Sequence, residues 1–238
     1  MTKNENLLSA VSSFEVESQE HQIVERIHTA IMEQRLEAGT KLNEAQLCET
    51  FGAGRMRVRR ALLLLASQGI VQLQSNRGAF VACPDPDEAD DVFGARLAIE
   101  PSIARNVAQR ATERDFKKLE RHIKLEQQAR AAERRRDVIR LSGEFHVMLA
   151  SVHGNMVLTR MMQELVARTS LIIGLFGTSG VSSCEEHEHQ EILGALRARD
   201  IKQVDALIRT HLDHIKSALD LSPAPAEEVD ISKILGGG

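Results

Sequence analysis

The sequence predicts a mainly α protein in two parts, an N-terminal winged helix-turn-helix and a C-terminal all-α helical bundle. Three observations carry this reading. Between residues 19 and 82, three short segments with helical apolar spacing precede two β-rich runs about a turn. The stretch Cys83-Pro84-Asp85-Pro86-Asp87 then interrupts the pattern with two prolines. From residue 88 to about 221 the spacing is helical almost throughout, and β-branched alternation is scarce. The expected division is a flexible N-terminus (1–18), the winged domain (19–82), a linker (83–87), the helical domain (88–221) and a flexible tail (222–238).

Within the winged domain, Ile23, Ile27, Ala30 and Ile31 mark a first helix that closes near Ala38-Gly39. Asn43 or Glu44 opens a short second helix, with Leu47 and Phe51 on its inner side and Gly52 as its stop. The segment GAGRMRVRRALLLLASQG, residues 52–69, supplies the third. Ile70, Val71 and Leu73 suggest a strand, residues 75–78 a turn, and residues 79–81 the returning strand. In the helical domain, helices are expected near 88–110, 112–135, 137–152, 155–176, 183–198 and 200–220. Gly154, Gly174, Gly177 and Gly180 mark breaks, and Asn155 opens a helix as a cap. The charge run RAAERRR at 130–136 reads as a solvated helix end.

Composition narrows the function. The chain has 238 residues, enough for two modest cores, and a net charge of −4, so any nucleic-acid contact must come from a local basic patch. Cys48, Cys83 and Cys184 are scattered and lack a CxxC pair, which argues against a disulfide framework or a cysteine-rich zinc site. Reduced thiols, no signal-peptide pattern and no apolar run near ~20 residues point to a cytoplasmic protein with no membrane partner. The absence of Trp and Tyr argues against single-strand binding on aromatic platforms.

Arg55, Arg57, Arg59 and Arg60 fall within six positions, with no acid between them. On a helical wheel Val58, Ala61, Leu62 and Leu65 share a stripe that can pack inward. Arg59 and Arg60 project away from it, and Arg55 lies at its edge. A recognition helix enters the major groove by its N-terminal turns, where these charges lie. Arginine reads guanine bidentately and clamps phosphate, so the expected partner is double-stranded DNA.

The stretch KLNEAQLCETFGAGRMRVRRALLLLASQGIVQLQSNRGAFVA resembles the DNA-binding domain of GntR-family bacterial transcription regulators. Leu42, Glu44, Leu47, Gly52, Arg55, Val58, Arg59, Ala61, Leu62, Leu65, Gly69, Val71, Arg77, Gly78 and Val81 fall in the family register. The helical remainder is similar to the FCD effector domain of the FadR-type branch, through RLAIEP (96–101), EFHVMLASVHGN (144–155), EHQEILGALRARD (188–200) and HLDHI (211–215). The resemblance gives Arg55 and Arg59 DNA-contacting positions and makes Arg77-Gly78 a basic wing tip. Arg57 and Arg60 are added charges, where relatives carry proline and glutamate. Gly54 stands where a capping serine is usual, and Ala45 where an arginine contact is frequent. Leu63 and Leu64 occupy positions usually polar in relatives, so they are expected to be covered by the effector domain or a partner subunit.

His146, His189 and His211 match the three histidines that hold a divalent metal in many FCD domains. The resemblance therefore implies zinc or nickel. Relatives place an Asp four residues before the first histidine; here that residue is Ser142, so a weaker, pH-sensitive site is expected. Arg96 and Glu100 have the spacing of an intrahelical pair. Alternatively Arg96 faces the cavity and, with Ser142 nearby, meets an effector carboxylate. His153, His187 and His214 are read as surface or supporting residues.

Together these implications describe a homodimeric regulator, not an enzyme, whose affinity for a pseudo-palindromic operator is set by a small metabolite, expected to be an organic acid. Two alternatives stay open at this stage: a metal-free FCD regulator sensing a larger apolar ligand, and a metal-dependent enzyme.

Overall fold

The computed structural model describes residues 19–177 and 187–222. The expected N-terminal arm (1–18), the start of the helix expected at 183, Cys184 and nearly all of the tail lie outside the described residues.

Nine helices and three strands are present among the described residues. Helix α1 spans 19–32. Strand β1 (Lys41–Leu42), α2 (Glu44–Phe51), α3 (Arg55–Ser67), β2 (Val71–Gln74) and β3 (Gly78–Val81) complete the winged domain. The strands form an antiparallel sheet in the order β1-β3-β2, with Leu42 and Leu73 both opposite Ala79. Asn43 opens α2 by accepting hydrogen bonds from the backbone N–H of Ala45 and Gln46. Gly52 ends it in the left-handed region, at φ 58°, and starts the sharp turn into α3. Gly54 caps α3 with no side-chain hydrogen bond, the consequence of the missing serine hydroxyl.

The helical domain comprises α4 (Pro86–Arg110), α5 (Glu113–Ala131), α6 (Arg135–His153), α7 (Met156–Phe176), α8 (Glu188–Ala198) and α9 (Ile201–Ser217). Helix α4 packs against α6, α7, α8 and α9, and α5 closes over α6 and α8. Side-chain caps fix several starts: Asp85 for α4, the Thr112–Asp115 capping box for α5, Asn155 for α7 and Asp200 for α9.

Several boundaries differ from the sequence reading. Helix α1 ends at residue 32, before the expected Ala38-Gly39, with Gln34 turning the chain at φ 53°. Gly174 marks no break and lies inside α7. Pro86 and Asp87 are not linker residues. Pro86 is the first residue of α4, where its missing N–H costs nothing and its fixed φ suits a helix. Likewise α5 stops at Ala131, and the charge run makes the turn between two helices, with Glu133 at φ 53°.

The two domains share one hydrophobic core. Ile23, Ile27, Ile31 and Met32 of α1 belong to the same buried cluster as Val166, Ala167 and Leu171 of α7. The end of α1 is also tied to the bundle by polar contacts. The Ser170 hydroxyl donates to the carbonyl of Met32 at 2.9 Å, and Arg140 approaches Glu33 at 3.2 Å. At a second point of contact, the Arg168 guanidinium, paired with Glu88 and Glu164, lies against Gly69.

Candidate functional site

The winged domain presents its basic residues as the spacing predicts. Val58, Ala61, Leu62 and Leu65 are buried, and Arg55, Arg59, Arg60 and Arg77 are exposed. Arg59 is held by the Glu44 carboxylate, Nε to Oε2 at 2.9 Å. Arg57 is half-buried, and its Nη1 donates to Oε1 of Gln19 on α1 at 2.5 Å. Its visible partner is thus within the domain. Arg77 lies 5.7 Å from the Phe80 ring centroid, and Gly78, at φ 98°, completes the wing turn. Leu63 and Leu64 are 56% and 47% exposed, so the helical domain of the same chain does not cover them. They sit on the solvent side of α3, where the bundle does not reach.

In the helical domain, α6, α8 and α9 bring His146, His189 and His211 together, all three buried. Nε2 of His211 lies 3.0 Å from Nε2 of His146 and 3.3 Å from Nε2 of His189. The opposite ring nitrogens face carboxylates. His189 Nδ1 is 2.7 Å from Glu126, and His211 Nδ1 is 2.7 Å from Glu188. His146 Nδ1 is 2.6 Å from Glu100 Oε2, an ion-pair distance. Glu188 also bonds His214, which joins the outer ring of the site.

Carboxylates on Nδ1 select the Nδ1–H tautomer and turn three lone pairs toward one another. Three such acceptors repel unless a cation or a proton sits among them. A single ion with metal–nitrogen bonds of about 2.0–2.1 Å needs donor–donor edges of about 3.0–3.4 Å. The two closest pairs have that spacing, so these residues fit zinc or nickel.

The site's electrostatics keep two of the imidazoles, His146 and His211, neutral. Burial lowers His146 to about 4 against the pull of Glu100, with Arg96 adding to the decrease. Burial and the neighbouring imidazoles lower His211 to about 3, against Glu188. Burial alone would raise the Glu100 carboxyl, but Arg96 and His146 hold it well below the usual carboxylate range. These two histidines thus need no deprotonation at neutral pH, which weakens the expected pH sensitivity there.

Arg96 resolves into both of its sequence readings. Its Nε donates to Glu100 Oε1 at 2.5 Å, and Nη1 donates to the Thr169 hydroxyl at 3.2 Å. Its Nη2 is buried with no hydrogen-bond partner among the described residues. Arg96, Ser142, His146 and Thr169 line one cavity of about 20 Å³, backed by the apolar Val166, Ile173 and Ile215. Glu126 and Glu188 were missed by sequence reasoning. No motif spacing links Glu126 to His189, and Glu188, adjacent to His189, serves His211 instead.

A winged helix with a basic recognition helix, joined to a helical domain that encloses a polar site, defines a two-domain DNA-binding regulator. Among the described residues, no helix is long and apolar enough to cross a membrane. The family model "Bacterial regulatory proteins, gntR family" matches residues 19–81, and that of the FCD domain matches residues 91–214. The chain belongs to the GntR family of bacterial transcription regulators, in its FadR-type architecture with an FCD domain. It is 29% identical over 185 residues to the HTH-type transcriptional repressor RspR of Escherichia coli (strain K12), covering 76% of this chain and 80% of that one. It is 28% identical over 179 residues to the Nta operon transcriptional regulator of Aminobacter aminovorans, covering 74% and 85%. The solved structure of E. coli McbR/YncC superposes with a TM-score of 0.75 at 18% identity, covering 84% of this chain and 95% of that one; this likeness concerns the fold.

Proposed function

We propose that this regulator is a homodimeric repressor released from its operator by a small carboxylate, bound beside a divalent metal in the helical domain. The observation that carries the reading is the adjacency of two unlike groups in one buried place. Three imidazoles converge in the bundle, and one of them, His146, lines the cavity to which Arg96 brings a guanidinium with an unused N–H. Repression is supported by the name of RspR.

The division of labour follows from charge. Glu100 pairs with Arg96 and Glu126 with Arg130; with the Glu188 carboxylate on His211, these side chains sum to one net negative charge around the three imidazoles. A divalent ion held by His146, His189 and His211 would reverse that sign and supply a Lewis-acid position for a carboxylate oxygen. Arg96 then fixes the anion through a charge-assisted hydrogen bond, and Ser142, one turn before His146, offers a hydroxyl on the same wall. Glu126 and Glu188 keep their imidazoles oriented. On the DNA side, Arg55, Arg59 and Arg60 face the major groove, Arg77 and Gly78 the neighbouring backbone, and Arg57 braces α3 from behind. Two copies related by a two-fold axis read the two half-sites.

The test is metal analysis of untagged protein, with calorimetry of zinc, nickel and then malate on the wild type, His189→Gln and Arg96→Gln. Metal should copurify with the wild type and be lost from His189→Gln. Malate should bind only the metal-loaded wild type. A wild type that takes up neither metal ends the proposal of a metal-assisted site.

A further inference from the structure

The effector cavity is not enclosed by the helical domain alone. Its wall also includes Met32, the last residue of α1 and part of the winged domain. At about 20 Å³ the cavity holds roughly one water, far less than even a small organic acid requires. Something in the lining must therefore yield when an acid reaches Arg96. The walls contributed by α4, α6, α7 and α9 belong to one packed bundle. Met32 is the exception, a flexible side chain at the end of a helix from the other domain.

The packing shows how closely Met32 is seated. At Gly143 on α6, an added Cβ would lie 3.1 Å from Met32 Cε and 2.6 Å from Val166 Cγ1. Glycine there lets α6 seat closely against Val166 of α7 and against the end of α1 together. Ser170 holds the Met32 carbonyl, and Gln34 donates back to the Ser170 carbonyl at 3.4 Å. Ser170 directly follows Thr169, whose hydroxyl accepts from Arg96. The other end of α1, roughly 20 Å away for a helix of this length, carries Gln19. That residue accepts from Arg57 of the recognition helix and donates to the Phe51 carbonyl at 3.5 Å. One helix thus touches the effector cavity at one end and α3 at the other.

We propose that Met32 is a wall of the effector site supplied by the winged domain, and that an acid larger than the cavity binds by displacing it, so that α1 carries occupancy to the recognition helix. The inference rests on the effector reading above, and it fixes Met32 as the residue that sets which acids enter.

The decisive experiment uses the untagged full chain without added acid, and a DNA duplex that the wild type selects from random sequence. Gly143→Ala places a methyl group against both Val166 and Met32 and should weaken duplex binding by about ten-fold, within the usual range of allosteric coupling. Gly143→Ala/Val166→Ala, which removes the tighter contact inside the bundle, should still bind weakly, and adding Met32→Ala to that pair should restore affinity. Unchanged binding by Gly143→Ala, or rescue by Val166→Ala alone, overturns the proposal. Met32→Ala by itself guards against misfolding of Gly143→Ala. In calorimetry on zinc-loaded protein it should bind malate and citrate at least about ten-fold more tightly than the wild type. Equal affinities of the two proteins for an acid that binds also overturn the proposal. If neither acid binds either protein, the effector reading falls, and the duplex measurements still decide the role of Met32.

Discussion

Arg96 shows most clearly how one residue serves structure and function together. It is buried at 2% exposure and pairs with Glu100, which in turn faces His146. Removing one partner of such a pair strands the other, at a cost of roughly 3–5 kcal/mol. Arg96→Met is therefore expected to destabilise the protein by about that amount in urea unfolding, with Arg96→Met/Glu100→Met recovering part of the loss. A stability change below 1 kcal/mol, on the order of an exposed pair, would show that the pair is not held as described. Ser142 is the second informative position. Ser142→Asp would put a carboxylate one turn from His146, and zinc calorimetry should record tighter binding than in the wild type. At the DNA face, Arg55→Ala and Arg59→Ala should each cost about 1–3 kcal/mol of specific binding, while Arg77→Ala weakens binding less selectively. Titrations over several salt concentrations separate the two behaviours. The histidines were legible because three of them fall in a family register. Their carboxylates were not, because Glu126 lies 63 residues from His189 in the chain and looks like any glutamate on a helix.

At the scale of elements, period and caps made most of the fold readable. Asn43, Asn155, Gly52 and Gly154 lie where the pattern places them, because each helps satisfy backbone groups that the helix leaves open; Gly39 does not stop α1, and Gly174 stops nothing. Pro86 was misread for a physical reason. A proline near a break can end an element or begin one, and only the chain that follows decides. Leu63 and Leu64 raise a different question, since no described element of the same chain covers them. If a partner subunit covers them, Leu63→Glu/Leu64→Glu should shift the mass in analytical ultracentrifugation toward the monomer and lower the melting temperature. Wild-type mass and melting temperature would leave the leucines as exposed residues outside the dimer interface.

For the molecule as a whole, the buried histidines set its response to acid. His146 and His211 stay neutral in the fold down to about 4 and about 3, whereas the unfolded chain takes up those protons below about pH 6.5. The unfolded state therefore gains protons that the native state refuses, and stability falls as pH drops from about 6.5 toward 4. It is insensitive to these two groups above pH 7. Glu100 acts in the same direction at lower pH, since its carboxyl is held below the usual range only in the fold. Chelator-treated protein should lose a few kcal/mol of unfolding free energy between pH 7 and pH 5. His146→Gln should flatten that dependence. Equal stability at the two pH values would show that these imidazoles are not held neutral.

The seating of Met32 also bears on how interchangeable the domains of such regulators are. The covalent joint is short, a few residues before Pro86, and invites exchange of one DNA-binding domain for another at that point. An exchange made there carries away residues 32–34 and parts them from Ser170 and Arg140, which stay with the helical domain. The resulting hybrid would bind its duplex and its acid as two independent proteins on one chain. Transplanting Met32, Glu33 and Gln34 with the helical domain should restore communication between them. Compatibility in this architecture would then be inherited through the last turn of the first helix, not through the linker.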